Sequence, residues 1–254
     1  MNCYVISLAE AKDRRQHINY VFNQAGLKFE FFDAIKPDSA KEILLNISNT
    51  CDLDRLSPGE IACLASHVML WQQLLDSPRE YDLIFEDDVL LGDGIQKFLN
   101  ELTQNLDDLD LVKLETFQEK VLLGNLKKKY QNRNLFELKS FHSGTAGYLL
   151  TRAGAKKLIQ YLNTKNQILA ADHYIFEEVG REFDFKVDQV VPAVCIQEKV
   201  FEENSQLSNW LEQDRSSFTR IKRKKFLFIR IIREFQRFIL KQKLKFFSKI
   251  VEFK

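Results

Sequence analysis

The sequence predicts an α/β domain, a mostly parallel central sheet flanked by helices with a basic helical extension behind it, on three observations. Short unbroken apolar runs such as Tyr4-Val5-Ile6 and Leu83-Ile84-Phe85 suit strands buried on both faces. Between such runs, longer segments carry apolar residues at helical spacing. The run at Leu83 also ends abruptly in three consecutive carboxylates, Glu86, Asp87 and Asp88, at the strand end where open α/β sheets collect their ligands.

The first strand, at Tyr4-Val5-Ile6, leads through Ser7-Leu8 into a helix that carries Lys12, Asp13, Arg14 and Arg15, with Ile18, Val21 and Phe22 at helical spacing. A strand, a short loop and a helix start form a natural dock for a nucleotide. Phe29 to Phe32 read as a second strand, and residues 37–55, polar and less regular, as a surface loop or insert. Ser57-Pro58-Gly59-Glu60 then opens a helix: Ser as N-cap, Pro at the first helical position, Glu at N3 to complete a capping box. That helix runs through Ile61, Cys63, Leu64, His67, Leu70, Trp71 and Leu74. His67, beside Ser66 and one turn from Cys63 and Trp71, is either a satisfied core histidine or a ligand contact.

Beyond the acidic strand, Ile95, Phe98, Leu99 and Leu102 predict a helix, and Asp110 to Glu115 another strand. Residues 118–135 read as a basic, mobile loop that exposes Lys127, Lys128, Lys129 and Arg133. The two glycines of His142-Ser-Gly-Thr-Ala-Gly-Tyr148 permit close backbone approach to a ligand or another strand. Thr151 caps a helix from Ala153 to Leu162, a further helix carries Asp172, His173 and Phe176, and Val190 to Glu198 reads as a last strand ending in polar groups.

Three adjacent acids repel one another unless a cation neutralises them, and hard oxygen ligands of this kind suit Mg²⁺ or Mn²⁺ bound together with a substrate phosphate. A solvent-facing acidic turn is the alternative. The cysteines, Cys3, Cys51, Cys63 and Cys195, form no CxxC pair or Cys/His cluster, so neither zinc nor a disulfide framework is expected and a reducing cytoplasm fits. The N-terminal apolar run is too short for a secretory signal, and no stretch has the length of a membrane span.

Several segments, in order, resemble glycosyltransferase family 25 enzymes of bacterial lipooligosaccharide synthesis. They are Val5-Ile-Ser-Leu8 with Arg14-Arg15, Leu56 to His67 with Trp71, Phe85-Glu-Asp-Asp-Val89, Gly144-Thr-Ala-Gly-Tyr148, Asp172 with Phe176, and Pro192 to Glu198. The resemblance implies a GT-A fold, Rossmann-like, with a UDP-sugar donor, a divalent metal (Mn²⁺ or Mg²⁺) and inverting transfer, most often of galactose through a β-1,4 link. It implies Asp88 as metal ligand with Glu86, and Asp87 in support at the ribose or sugar hydroxyls. It places Ser7, Leu8, Arg14, Arg15, Ser66 and His67 toward the nucleotide and diphosphate, Thr145, Gly147 and Tyr148 on the donor-sugar side, and Gln197 and Glu198 at the pocket's edge. Inversion needs a carboxylate opposite the leaving diphosphate, and Asp172 is the candidate base, an N-cap role being its alternative.

The net charge of +1 hides an asymmetry. From Arg220 to Lys254, thirteen Lys and Arg face only Glu234 and Glu252. A catalytic domain over 1–215 and a basic tail over 216–254 are therefore expected. Phe228, Ile231, Ile232, Phe235, Phe238 and Ile239 recur at helical spacing opposite Arg230, Arg233, Arg237 and Lys241. Such a helix can lie on an anionic inner-membrane surface, which suits a cytoplasmic enzyme with a lipid-linked oligosaccharide acceptor. Packing on the catalytic domain or on a second copy, as a homodimer, is the alternative, and nucleic acid fits the phenylalanine pattern less well. Two other functional classes compete: a non-catalytic nucleotide-sugar or glycan-binding protein of the same fold, and a receiver-type phosphoacceptor switch, which lacks a downstream strand-end aspartate near 125–140.

Overall fold

The chain was analysed as a computed structural model that describes residues 2–48, 52–164, 168–179, 184–202, 214, 218 and 242–254. Its spine is a sheet of eight strands. They are β1 (Cys3–Ser7), β2 (Glu30–Asp33), β3 (Tyr81–Glu86), β5 (Leu111–Lys113), β8 (Leu123–Lys129), β9 (Asn134–Leu138), β10 (Gly147–Thr151) and β11 (Val187–Val191). The spatial order is β2-β1-β3-β10-β5-β11-β9-β8. Six strands run one way, and only β10 and β9 run against them.

The unbroken apolar runs fill both faces of this sheet. Val5, Leu83, Phe85, Val112 and Leu149 share a cluster with Ile18 and Phe22 of α1 (Lys12–Gln24) and with Ile95, Phe98, Leu99 and Leu102 of α4 (Ile95–Leu102). Their sequence neighbours Ile6, Ile84, Leu111, Tyr148 and Leu150 point the other way, against Leu64, Leu70 and Trp71 of α3 (Pro58–Leu75) and Leu158 and Leu162 of α5 (Arg152–Thr164). Period-two alternation with both faces apolar is what a sheet between two helical layers requires. The capping box forms as expected: Ser57 Oγ accepts from Glu60 N at 3.3 Å and Ser57 N donates to Glu60 Oε2 at 3.0 Å. Thr151, the last residue of β10, accepts from Gly154 N at 3.1 Å and so starts α5.

Three segments differ from expectation. Residues 37–55 contain a helix, α2 (Pro37–Ile47), whose Ala40 and Leu44, one turn apart, are buried while its polar face meets solvent. Residues 118–135 are not a loop: they hold β8 and the start of β9, an antiparallel extension of the sheet, preceded by the short β7 (Lys120–Val121), which belongs to a separate two-stranded sheet. Lys127, Lys128 and Lys129 are exposed there, as a charged edge strand requires, but Arg133 is buried and donates to the carbonyls of Asp93 at 2.8 Å and Lys254 at 2.7 Å. The single strand expected over Val190–Glu198 is broken. Pro192, which has no N–H for a ladder, separates β11 from β12 (Cys195–Gln197), and Glu198–Phe201 is a short helix. β12 joins β4 (Val89–Leu91) and β6 (Glu115–Thr116) in a small second sheet beside the acidic segment.

The amphipathic helix expected over 228–241, the 215/216 boundary and Cys51 lie outside the described residues. The last residues do pack on the domain: β13 (Lys249–Ile250) pairs with β7, and Val251 is buried. Among the described residues no helix is long and apolar enough to cross a membrane.

Candidate active site

Because β1 and β3 run parallel with Ile6 beside Glu86, the turns that follow both strands open on the same edge of the sheet. Asp87 is buried there and fully engaged. Its Oδ2 accepts from Ser7 Oγ at 2.7 Å, and its Oδ1 takes the guanidinium of Arg14. Burial alone would lower the Arg14 pKa, but Asp87, Asp88 and Glu86 outweigh it and hold the group charged. Arg15 instead ties the loop together, through the carbonyls of Leu8 at 3.1 Å and Ser7 at 3.0 Å and an ion pair with Asp33.

Asp88 is the exception among the three acids. Its Oδ1 is buried with no hydrogen-bond partner, and burial, together with the charges of Glu86 and Asp87, pushes its carboxyl up to about 7 despite Arg14. Its carbonyl accepts from Glu198 N at 2.8 Å, which brings in a second carboxylate with an orphaned buried oxygen, Glu198 Oε2. His17 Nε2 donates to Val89 O at 2.9 Å and fixes the turn from the other side. Buried polar atoms are normally satisfied, so each of these unpartnered carboxylate oxygens is an open oxygen ligand of the kind a hard divalent cation takes.

Glu86 sits between β10 and α3. It accepts from Thr145 Oγ1 at 2.5 Å, and His67 Nε2 lies 3.3 Å from the same oxygen. His67 Nδ1 lies 2.8 Å from Tyr148 Oη, which accepts from Trp71 Nε1 at 2.9 Å. Since an indole can only donate, the Tyr148 proton goes to His67 Nδ1 and leaves Nε2–H for Glu86. Burial would raise the Glu86 carboxyl, but the His67 and Thr145 hydrogen bonds hold it below its ordinary value.

Behind these lies a network that sequence reasoning missed. Glu115, fully buried, accepts from Lys113 Nζ at 3.1 Å, Ala146 N at 2.9 Å and Gln197 Nε2 at 2.9 Å, and burial pushes it up to about 6. Lys113 also donates to Gly144 O at 2.5 Å and lies 4.2 Å from the centre of the Phe176 ring. Gly144 has φ +85°, and a Cβ there would meet Glu115 Oε1 at 2.4 Å. Lys113 and Glu115, opposite charges two residues apart in the apolar stretch Leu111–Glu115 that the fold divides between β5 and β6, were the available signal.

Other expected positions fall differently. Ser66 accepts from Ile35 N at 2.9 Å and donates to Ala62 O at 2.8 Å, which anchors α3 to the segment before α2. A Cβ on Gly147 would meet Cys195 Sγ at 2.2 Å, so this glycine allows β10 and β12 to approach. Asp172 stands in the second position of α6 (Ala171–His173), half-buried, with its Oδ1 2.8 Å from His173 N. It therefore does not cap a helix starting at His173, and no direct hydrogen bond joins it to the acid triplet among the described contacts.

The sequence pattern described as Glycosyltransferase family 25 (LPS biosynthesis protein) matches residues 1–175. The lipooligosaccharide biosynthesis protein lic2B of Haemophilus influenzae is 37% identical, over 88% of this chain and 86% of its own. The lacto-N-neotetraose biosynthesis glycosyltransferase LgtE of Neisseria gonorrhoeae is also 37% identical, over 88% of this chain and 85% of its own. The lacto-N-neotetraose biosynthesis glycosyltransferase LgtB of the same species shares 35% identity, over 85% and 82%.

Proposed function

The chain belongs to glycosyltransferase family 25 and is a glycosyltransferase, and on that premise we propose that it moves galactose from UDP-galactose onto a lipooligosaccharide or related surface glycan, with inversion, a β-1,4 link and a divalent metal. The acceptor class rests on the names of the relatives, which concern lipooligosaccharide and lacto-N-neotetraose synthesis. Family membership removes the phosphoacceptor-switch reading.

The observation that carries the site is the orphaned Asp88 oxygen, left when Arg14 and Ser7 are committed to Asp87. Asp88 would hold Mn²⁺ or Mg²⁺, with Glu86 and Glu198 alongside. When bound, such an ion offsets the charge that builds on the departing diphosphate. Arg14, already drawn to the cluster by three carboxylates, adds positive potential on the nucleotide side. Thr145 and His67 fix Glu86 in one orientation toward the donor, and Gln197, held by Glu115, supports the opposite wall. Asp172 takes the acceptor hydroxyl's proton as the sugar bond forms.

A lipid-linked acceptor also gives a role to the described part of the basic tail. Phe246 and Phe247 are 69% and 74% exposed, and Ile250 is exposed beside them, among Lys243, Lys245 and Lys249. Exposed aromatics interleaved with lysines suit the cytoplasmic face of an anionic inner membrane. Turnover is tested by UDP release from UDP-galactose with Mn²⁺ and a lactose- or glucose-type acceptor, with and without EDTA. Turnover that survives EDTA removes the metal, and faster turnover of UDP-glucose or an N-acetyl sugar replaces galactose.

A further inference from the structure

We infer that Cys63, His67 and Glu86 form a second cation site, for a thiophilic or borderline ion such as Zn²⁺, that shares Glu86 with the oxygen-lined position at Asp88. The sulfur, a ring nitrogen and a carboxylate oxygen of these three residues all lie within 4.8 Å of one another. Tetrahedral coordination therefore needs only small side-chain shifts. The spacing explains the encounter: Cys63 and His67 are four apart on α3 and share a face, and β3 delivers Glu86 to it. The sequence expectation that no cysteine joins a histidine cluster is thus overturned by the fold.

The donor set decides the ion. A thiolate and an imidazole favour Zn²⁺ over Mn²⁺ or Mg²⁺, whereas Asp88 and Glu198 offer only oxygen. His67 Nε2 already faces Glu86, and Nδ1 is backed by Tyr148 Oη, the kind of outer partner that orients a ligating histidine. On binding, the Cys63 thiol releases its proton to solvent, the His67 proton moves from Nε2 to Nδ1 and is donated to Tyr148, and the Tyr148 hydroxyl hydrogen turns away from the ring while its oxygen accepts from both His67 and Trp71. Three protein ligands leave a fourth position for water, and the partial exposure of Cys63 and Glu86 gives the ion a way in. Resting on the reading of Glu86 as a donor-side residue, zinc here competes with the nucleotide sugar.

The test is cobalt spectroscopy of the full chain. Added Co²⁺ is expected to give a thiolate charge-transfer band with tetrahedral d–d absorption, which Zn²⁺ displaces and excess Mg²⁺ does not. Cys63→Ser should abolish the charge-transfer band. Glu86→Gln, which keeps the side-chain volume, should weaken zinc binding and serves as the check should the serine variant fail to fold. Absence of the band in the wild type, a band that survives Cys63→Ser, or zinc affinity unchanged in Glu86→Gln overturns the site. Transfer assays separate the two readings: a band with the expected variant effects but no zinc inhibition leaves the metal site standing and removes Glu86 from the donor pocket.

Discussion

At the scale of single residues, the three acids of one motif have three different fates, and only their partners decide which. Asp87 is neutralised by Arg14 and Ser7, Glu86 is oriented by Thr145 and His67, and Asp88 is left over. Asp88→Asn is therefore expected to cut metal-stimulated UDP release by more than about a hundredfold, while the metal-free protein melts at a higher temperature because a buried, like-charged and unpartnered group is gone. Equal activity with equal melting temperature would clear Asp88 of both roles. His142 gives a second expectation. Its Nε2 accepts from Phe117 N at 3.1 Å and its Nδ1 faces Gln189 Oε1 at 2.8 Å, while burial, with Lys113 nearby, lowers its pKa from 6.5 to about 3. Between those values the unfolded chain binds a proton that the folded chain refuses. Stability from this group is complete above 6.5 and lost as pH falls through about 3. Glu115, raised to about 6, acts in the opposite sense, so the measurement is the difference between wild type and His142→Gln in urea melts across this range. The variant should flatten the acid limb by several kcal/mol, and superimposable curves would refute the assignment. The triplet was legible because its charge density is anomalous for a strand end. The division among its members was not, since it depends on side chains up to eighty positions away.

Elements were legible where local chemistry and burial agree, as in the capped start of α3 and the strands β1 and β3. They were misread where only one face is apolar over a short span. α2 does carry Ala40, Ile43, Leu44 and Ile47 at helical spacing behind Pro37, but the polar residues on either side of this single short stripe gave the segment a loop-like composition, and the β8 lysines hide an edge strand in the same way. Nor does local sequence reveal why β10 begins with glycine. The close approach to Cys195 Sγ predicts that Gly147→Ala overpacks the β10–β12 contact and costs about 1–3 kcal/mol in denaturant melts. Adding Cys195→Ala should recover part of that loss, since it removes the nearest atom, though Phe85 still stands at 3.2 Å. Strictly additive single-variant effects would show that the glycine is kept for some other reason.

For the molecule as a whole, composition divides the chain into an acidic body and a basic tail, but the fold brings the end of that tail back. Thr116 Oγ1 donates to Val251 O at 2.6 Å, Ala193 N donates to Glu252 O at 2.7 Å, and Lys254 N donates to Ala193 O at 3.2 Å, so residues 251–254 brace β6 and the segment before β12. A Cβ on Gly92, just beyond β4, would meet Lys254 O at 2.1 Å, which shows how closely this strap lies against the small sheet beside Asp88. The exposed Phe246 and Phe247 stand immediately before it. The bracing contacts of the tail and its proposed membrane role should therefore separate. Removing residues 249–254 takes away the buried Val251, uncovers Val121 and Ala193 beneath it and leaves the Ala193 N–H and Thr116 hydroxyl without partners, so it is expected to lower stability by about 2–4 kcal/mol and to impair transfer. Phe246→Ser with Phe247→Ser touches neither contact and should leave stability and transfer to a soluble acceptor unchanged. Because burying each phenylalanine in the lipid interface is worth about 1.5–3 kcal/mol, the double variant should lose more than about tenfold in flotation with anionic phospholipid vesicles. Transfer to a vesicle-bound acceptor should fall with it. Flotation equal to wild type would assign these aromatics to another contact, and a stability loss in the double variant would mean that the strap begins before residue 249.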